Sequence, residues 1–139
     1  MIFIYTDAAV RGNPSYPGAY AFFVIKGNGL EECLKKSGAC IPGKITNNYA
    51  EYFGIIEALR YAKATGLDDI LVRSDSNLAI QQINGNFKVK NAALIEMHET
   101  VLKAAREFEK IEFEWVPRTN KWLTRVDEYC NRILDGVKV

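Results

Sequence analysis

Asp7, Glu51, Asp75 and Asp127 are the residues whose type and position point to chemistry. Asp7 closes the apolar run Ile2-Phe3-Ile4-Tyr5-Thr6, and Asp75 closes Ile70-Leu71-Val72-Arg73-Ser74. Glu51 falls on one helical face with Ile55, Ala58, Leu59 and Ala62, an otherwise apolar stripe. Asp127 opens the last helical stretch. A carboxylate in or beside a core costs free energy unless it is paired or binds a metal. Carboxylates on separate elements supply the hard oxygens that Mg²⁺ requires. Two such ions about 4 Å apart can activate a water and stabilise the leaving oxygen in phosphodiester hydrolysis. Without cations the acids repel and some hold protons, so metal is expected to stabilise the apo protein.

Each acid also has a plainer explanation. Glu51 in a first helical turn would favour the helix dipole. Asp7 can cap a turn, and Asp75 in Ser74-Asp75-Ser76-Asn77 can N-cap the next helix. Thr124-Arg125-Val126-Asp127 resembles a capping box, with Thr124 as N-cap. The dipole explains an acid near a helix start but not one aligned with a buried stripe.

The elements that must position these acids can be read in order. Residues 2–9 alternate as a strand, Ala19–Ile25 reads as a second, and Gly27-Asn28-Gly29 turns into a third from about Leu30 to Ile41. A helix capped by Thr46, Asn47 or Asn48 runs to Gly66. Ile70–Ser74 is a short apolar strand, expected to be central and covered on both faces. A short helix from Ser76 to Gly85 and a longer one over about Ala92–Glu109 follow. Ile111, Phe113 and Trp115 alternate with glutamates as a strand, and a loop, Pro117–Leu123, leads to a last helix over Thr124–Leu134. The order is βββαβααβα, an α/β class with three antiparallel strands followed by a right-handed crossover to a parallel strand. That crossover brings the C-terminal ends of the first and fourth strands together, with Asp7 and Asp75 at those ends.

The 139 residues fit one domain with a single core, read as residues 1–139. No apolar run approaches the roughly 20 residues of a membrane helix, and MIFIYTDAAV lacks a basic leader region, so a cytoplasmic monomer with no membrane partner is expected. Cys33, Cys40 and Cys130 fit no zinc spacing and read as free thiols. A net charge of +1 does not announce a nucleic-acid partner, though a local basic patch would suffice.

Thr6-Asp7, Gly12-Asn13-Pro14, Asn47-Asn48-Tyr49-Ala50-Glu51, Ser74-Asp75-Ser76 and Val126-Asp127 together resemble type 1 ribonuclease H. The resemblance spans essentially the whole chain, including the element order, and implies the ribonuclease H-like fold: a five-stranded mixed sheet flanked by helices. It implies an endonuclease that cuts the RNA strand of RNA/DNA hybrids with two Mg²⁺ or Mn²⁺ ions, leaving 3′-hydroxyl and 5′-phosphate ends. Asp7, Glu51, Asp75 and Asp127 would be the catalytic metal ligands. Asn13, Asn47, Asn48 and Asn77 would lie along the hybrid's minor groove, where amides can read 2′-hydroxyls. Thr46 and Asn13 would hold a DNA-strand phosphate. A plainer role for Asn47 and Asn48 is helix capping.

Departures from the family pattern are specific. Gly85-Asn86-Phe87-Lys88-Val89-Lys90 leaves no room for the Trp- and Lys-rich extra helix of many bacterial members, which marks the shorter variant. The one histidine, His98, lies in the long helix as a surface residue rather than in the loop before the last acid. That loop reads Pro117-Arg118-Thr119-Asn120-Lys121-Trp122, so Arg118 or Lys121 could touch substrate. Leu123 and Val126 stand where the family usually has Asn and Ala. A non-catalytic hybrid-binding domain of the same fold would not need four acids, and a DNA-directed nuclease would not need the asparagines.

Overall fold

The structure, a computed structural model, describes residues 1–12 and 17–139. Five strands and four helices form among them: β1 (Ile2–Val10), β2 (Gly18–Asn28), β3 (Leu30–Ile41), α1 (Asn47–Ala64), β4 (Asp69–Ser74), α2 (Asn77–Ile83), α3 (Ala92–Ala105), β5 (Lys110–Trp115) and α4 (Lys121–Leu134). The sheet order is β3-β2-β1-β4-β5, with β1, β2 and β3 antiparallel and β4 parallel to both β1 and β5. This is the expected βββαβααβα mixed sheet.

Helices cover both faces of the sheet. α1 packs on β1 and β2 and is itself covered by α3. Ile4, Phe22, Val24, Ile55, Leu59, Ile70 and Val72 fill that side. α4 lies on the opposite face, where Tyr5, Phe23, Ile25, Leu123, Val126 and Cys130 pack. Gly54 lets α1 approach the strand that carries Asp7. A Cβ there would meet Tyr20 Cβ at 3.2 Å and the Asp7 carbonyl at 3.6 Å.

β4 is interior, and among the described residues its helix-covered face is the α1 side, where Ile70 and Val72 pack. On the other face Arg73 lies over the Phe3 ring at 4.6 Å and bonds Glu114 and the Tyr5 hydroxyl. Side chains, rather than a second helical layer, close that face.

Two helix boundaries differ from the sequence expectation. α3 ends at Ala105 rather than Glu109, because a turn tucks Phe108 into the core. α4 starts at Lys121, so residues 121–123 are helix rather than loop. Asn120 is its N-cap, accepting from the main-chain N–H groups of Trp122 and Leu123 at 3.0 and 3.2 Å. Thr124 is therefore not a cap, and its hydroxyl instead donates to the carbonyls of Asn120 and Arg118. Asn120→Ala is expected to cost about 1 kcal/mol, read as a lower urea midpoint at unchanged slope.

Candidate active site

Strand register explains why the two aspartates meet. Parallel pairing of β1 with β4 ends at Tyr5 opposite Arg73. Two residues further along each chain stand Asp7 and Asp75. Glu51 comes to them from α1. Carboxylate oxygens of Asp7, Glu51 and Asp75 lie within 4.8 Å of one another. Asp127, in the second turn of α4, joins the same cleft with Asp7, Asp75, Arg118 and Thr119 on its walls.

The plainer explanations for these acids fail on geometry. Thr46 caps α1, its hydroxyl accepting from Tyr49 N at 3.2 Å, which puts Glu51 beyond the first turn. Asn47 and Asn48 are thus not the caps. Ser76 caps α2 by accepting from Ala79 N, so Asp75 has no capping duty. The capping box proposed for Asp127 disappears with the earlier start of α4.

The electrostatics are those of an unneutralised acid cluster. Burial, then repulsion from Asp75, raises the Asp7 carboxyl from 3.8 to about 8. Its Oδ1 accepts from Ala8 N at 2.8 Å, which only partly offsets the rise. Glu51 is held well above the ordinary range by burial and by Asp7 and Asp75. Burial also raises Asp75, against the opposing charge of Arg118. Among the described residues Arg118 is the cation set against this group, and it acts on Asp75. Clustered hard oxygens short of positive charge fit a divalent cation.

The surrounding cleft is open, about 670 Å³, and is lined by Asn47, Asn48, Ser76, Trp115, Pro117 and Arg118 as well as acids. Asn47 and Asn48 are exposed at its rim. Asn77 is exposed on α2 and its Oδ1 accepts from Gln81 Nε2 at 3.3 Å. Thr46 lines a separate cavity of about 410 Å³ with Lys44, Tyr49 and Asn91. Asn13 lies outside the described residues. Lys121 is turned away from the acids and pairs with Glu31 at 3.3 Å, leaving Arg118 as the loop cation in the cleft.

Two neighbours of the acids were not among the site residues read from the sequence. Ser74 is buried, its hydroxyl donating to Glu51 Oε2 at 3.4 Å and accepting from Ser76 N. Its position beside Asp75 was the available signal. Trp115, read as an apolar strand position, is 45% exposed in the cleft. His98 also differs from a plain surface residue. Its Nε2 lies 2.9 Å from the Gln82 carbonyl, and its ring meets Tyr52 edge-on, joining α3 to α2 and α1.

A family profile described as reverse transcriptase-like matches residues 7–123. Ribonuclease HI of Halobacterium salinarum is 34% identical over 132 residues, 94% of this chain and 63% of that protein. A crystal structure of RNase H1 from the same archaeon superposes with a TM-score of 0.88 at 32% identity, covering 98% of each chain. This chain belongs to the type 1 ribonuclease H family. A second ribonuclease H1 structure, LC11-RNase H1 in complex with an RNA/DNA hybrid, superposes at 0.86 with 33% identity over 98% of both chains. A bifunctional protein of Mycobacterium tuberculosis is 34% identical over 135 residues, 97% of this chain. The chain spans 36% of the length of that mycobacterial relative. The ribonuclease H-like fold expected from the sequence is thus present. No helix among the described residues is long and apolar enough to cross a membrane.

Proposed function

We propose that residues 1–139 act as one domain that hydrolyses the RNA strand of RNA/DNA hybrids endonucleolytically, using two Mg²⁺ or Mn²⁺ ions. The observation that carries this reading is the set of three carboxylates within 4.8 Å, two of them held well above their ordinary pKa. A hybrid-bound ribonuclease H1 among the structural neighbours supports the substrate class. A purely binding domain would have no use for so costly a cluster.

Asp7, Glu51 and Asp75 would hold the cations, with Asp127 at the edge nearest Asp7. Bound there, divalent cations would lower the pKa of the attacking water and neutralise charge on the leaving 3′-oxygen. The protein's own part is positional. Ser74 orients Glu51, and the Ala8 N–H orients Asp7. Asn131 Nδ2 donates to Asp127 Oδ1 at 3.3 Å. Arg118 faces Asp75 and offers a guanidinium to the incoming phosphate. Asn47, Asn48, Asn77 and Asn13 would contact the hybrid's minor groove, and Thr46 with Asn13 a phosphate of the DNA strand. A guanidinium at this position binds charge rather than shuttling protons.

Analysis of the product ends tests this mechanism. RNA fragments should carry 3′-hydroxyls that a polymerase can extend, and 5′-phosphates. Cyclic or 3′-phosphate ends would indicate attack by the 2′-hydroxyl and refute it. Asp127→Asn is expected to lower kcat by roughly 10–100-fold, because Asp127 lies at the margin of the cluster. With the capping box gone, unchanged activity would remove Asp127 from the site altogether.

A further inference from the structure

Three of the four acid carboxylates accept a hydrogen bond from another residue, whereas that of Asp75 accepts only from its own main-chain N–H. Ala8 N serves Asp7, Ser74 Oγ serves Glu51, and Asn131 Nδ2 serves Asp127. Among the described residues no side chain donates to the Asp75 carboxylate. Its direction must come from its main chain, which lies just past the end of β4.

That main chain is held in an unusual way. Ser74 is the last residue of β4 with a ladder partner, and the partner is Trp115. The Val116 N–H still reaches the Ser74 carbonyl at 3.0 Å. At Asp75 the strand pairing has run out, and the indole Nε1 of Trp115 donates to the Asp75 carbonyl at 3.2 Å. A side chain thus extends the pairing by one residue, and the residue it captures is an acid of the cluster. A tryptophan serving only the core would bury its ring, whereas this one stays 45% exposed as a wall of the acid cleft.

We propose that Trp115 is the positioning residue for Asp75, its indole N–H holding the Asp75 peptide so that the carboxylate keeps its place in the cluster when a divalent cation binds. This rests on the cluster being a metal site. Groups that orient metal ligands commonly change metal affinity by 10–100-fold when removed.

Two variants separate the N–H from the ring. Trp115→Phe keeps an aromatic wall and loses the donor. Trp115→His keeps a ring N–H at the position of the indole Nε1 and loses the benzene ring. Binding of Mg²⁺ and Mn²⁺ alone is measured by calorimetry at pH 8.5, where imidazole is neutral, with melting curves as the folding control. Trp115→Phe should weaken cation binding about 10-fold, and Trp115→His should restore it to within about 3-fold of wild type. In hydrolysis of a hybrid, the metal requirement of Trp115→Phe should rise while KM for the hybrid changes less than about 2-fold.

Wild-type cation binding by Trp115→Phe would overturn the proposal. Equal impairment of both variants would also overturn it, assigning the effect to ring bulk. A raised KM with unchanged metal binding would mean that the indole touches the hybrid instead, again contradicting a positioning role. Should Trp115→Phe fail to fold, Trp115→His decides alone: near-wild-type cation binding supports the proposal and loss of binding overturns it. Failure of the wild-type protein to cut the hybrid would sink the functional reading, while the calorimetry, which needs no substrate, still decides the role of the indole.

Discussion

Asp75→Asn is expected to lower kcat on an RNA/DNA hybrid by at least about 1,000-fold while the protein stays folded. Asp75 supplies one of three carboxylates whose oxygens lie within 4.8 Å. An amide is a neutral and weaker ligand, so it both loosens a hard cation and leaves its charge less balanced. Losing about 4 kcal/mol of transition-state stabilisation gives that factor, a modest share of what metal catalysis supplies. The groove residues Asn47 and Asn48 are untouched at the rim, so KM for the hybrid should change less than about 3-fold. Ser76, not Asp75, caps α2, so the far-ultraviolet circular dichroism should match wild type. Steady-state kinetics at saturating Mg²⁺ check the result. Activity within 10-fold of wild type would remove Asp75 from the metal ligands.

The second large effect is on stability, and its sign depends on pH and metal. The Asp7 carboxyl is raised from 3.8 to about 8 by burial and by Asp75. Below pH 3.8 both the folded and unfolded states hold its proton, so the group does not penalise the fold. Between 3.8 and about 8 the folded state holds more protons than the unfolded one, so stability falls as pH rises. Above about 8 the full cost of the ionised group is present. Asp7→Asn removes this charge. In EDTA the variant should match wild type near pH 4 and exceed it at pH 8 by several degrees in Tm. Saturating Mg²⁺ should reverse the order, because wild type gains the cation's binding energy and the variant gains less. Melting curves at the two pH values, with and without Mg²⁺, check both signs. A variant less stable than wild type at pH 8 in EDTA would show that the cluster does not strain the fold.

Most of the fold was legible because period and punctuation agreed. Gly29, Gly66 and Gly85 end their elements at positive φ, as turn residues should. The aligned stripe Ile55, Ala58, Leu59 and Ala62 is buried, with Glu51 continuing it. Register then brought Asp7 level with Asp75, as the crossover required. The start of α4 was not legible, because Thr124-Arg125-Val126-Asp127 offered a familiar cap one turn too late. Asn120 competes for the same role and wins, since its side chain can accept from two successive N–H groups. The end of α3 carries no glycine or proline, so only the burial of Phe108 defines it.

Within the site, residue type revealed the acids but not what orients them. Ser74 and Trp115 act through hydrogen bonds set by strand pairing, which no spacing rule reports. Trp115 also obeys the alternation of β5, and nothing in that pattern separates a ring in the core from one beside the cleft. His98 was misjudged for a related reason. Its partner is a main-chain carbonyl of α2, invisible until α2 and α3 pack together.

One cleavage assay decides which strand of which duplex the acid cluster cuts. End-labelled RNA/DNA hybrid, DNA duplex and RNA duplex are incubated separately with the protein in Mg²⁺ or Mn²⁺, with EDTA and Asp75→Asn as controls. The expected result is internal cleavage of the RNA strand of the hybrid alone, abolished by either control. Cleavage of the DNA duplex, or binding of the hybrid with no cleavage at any metal concentration, would contradict it.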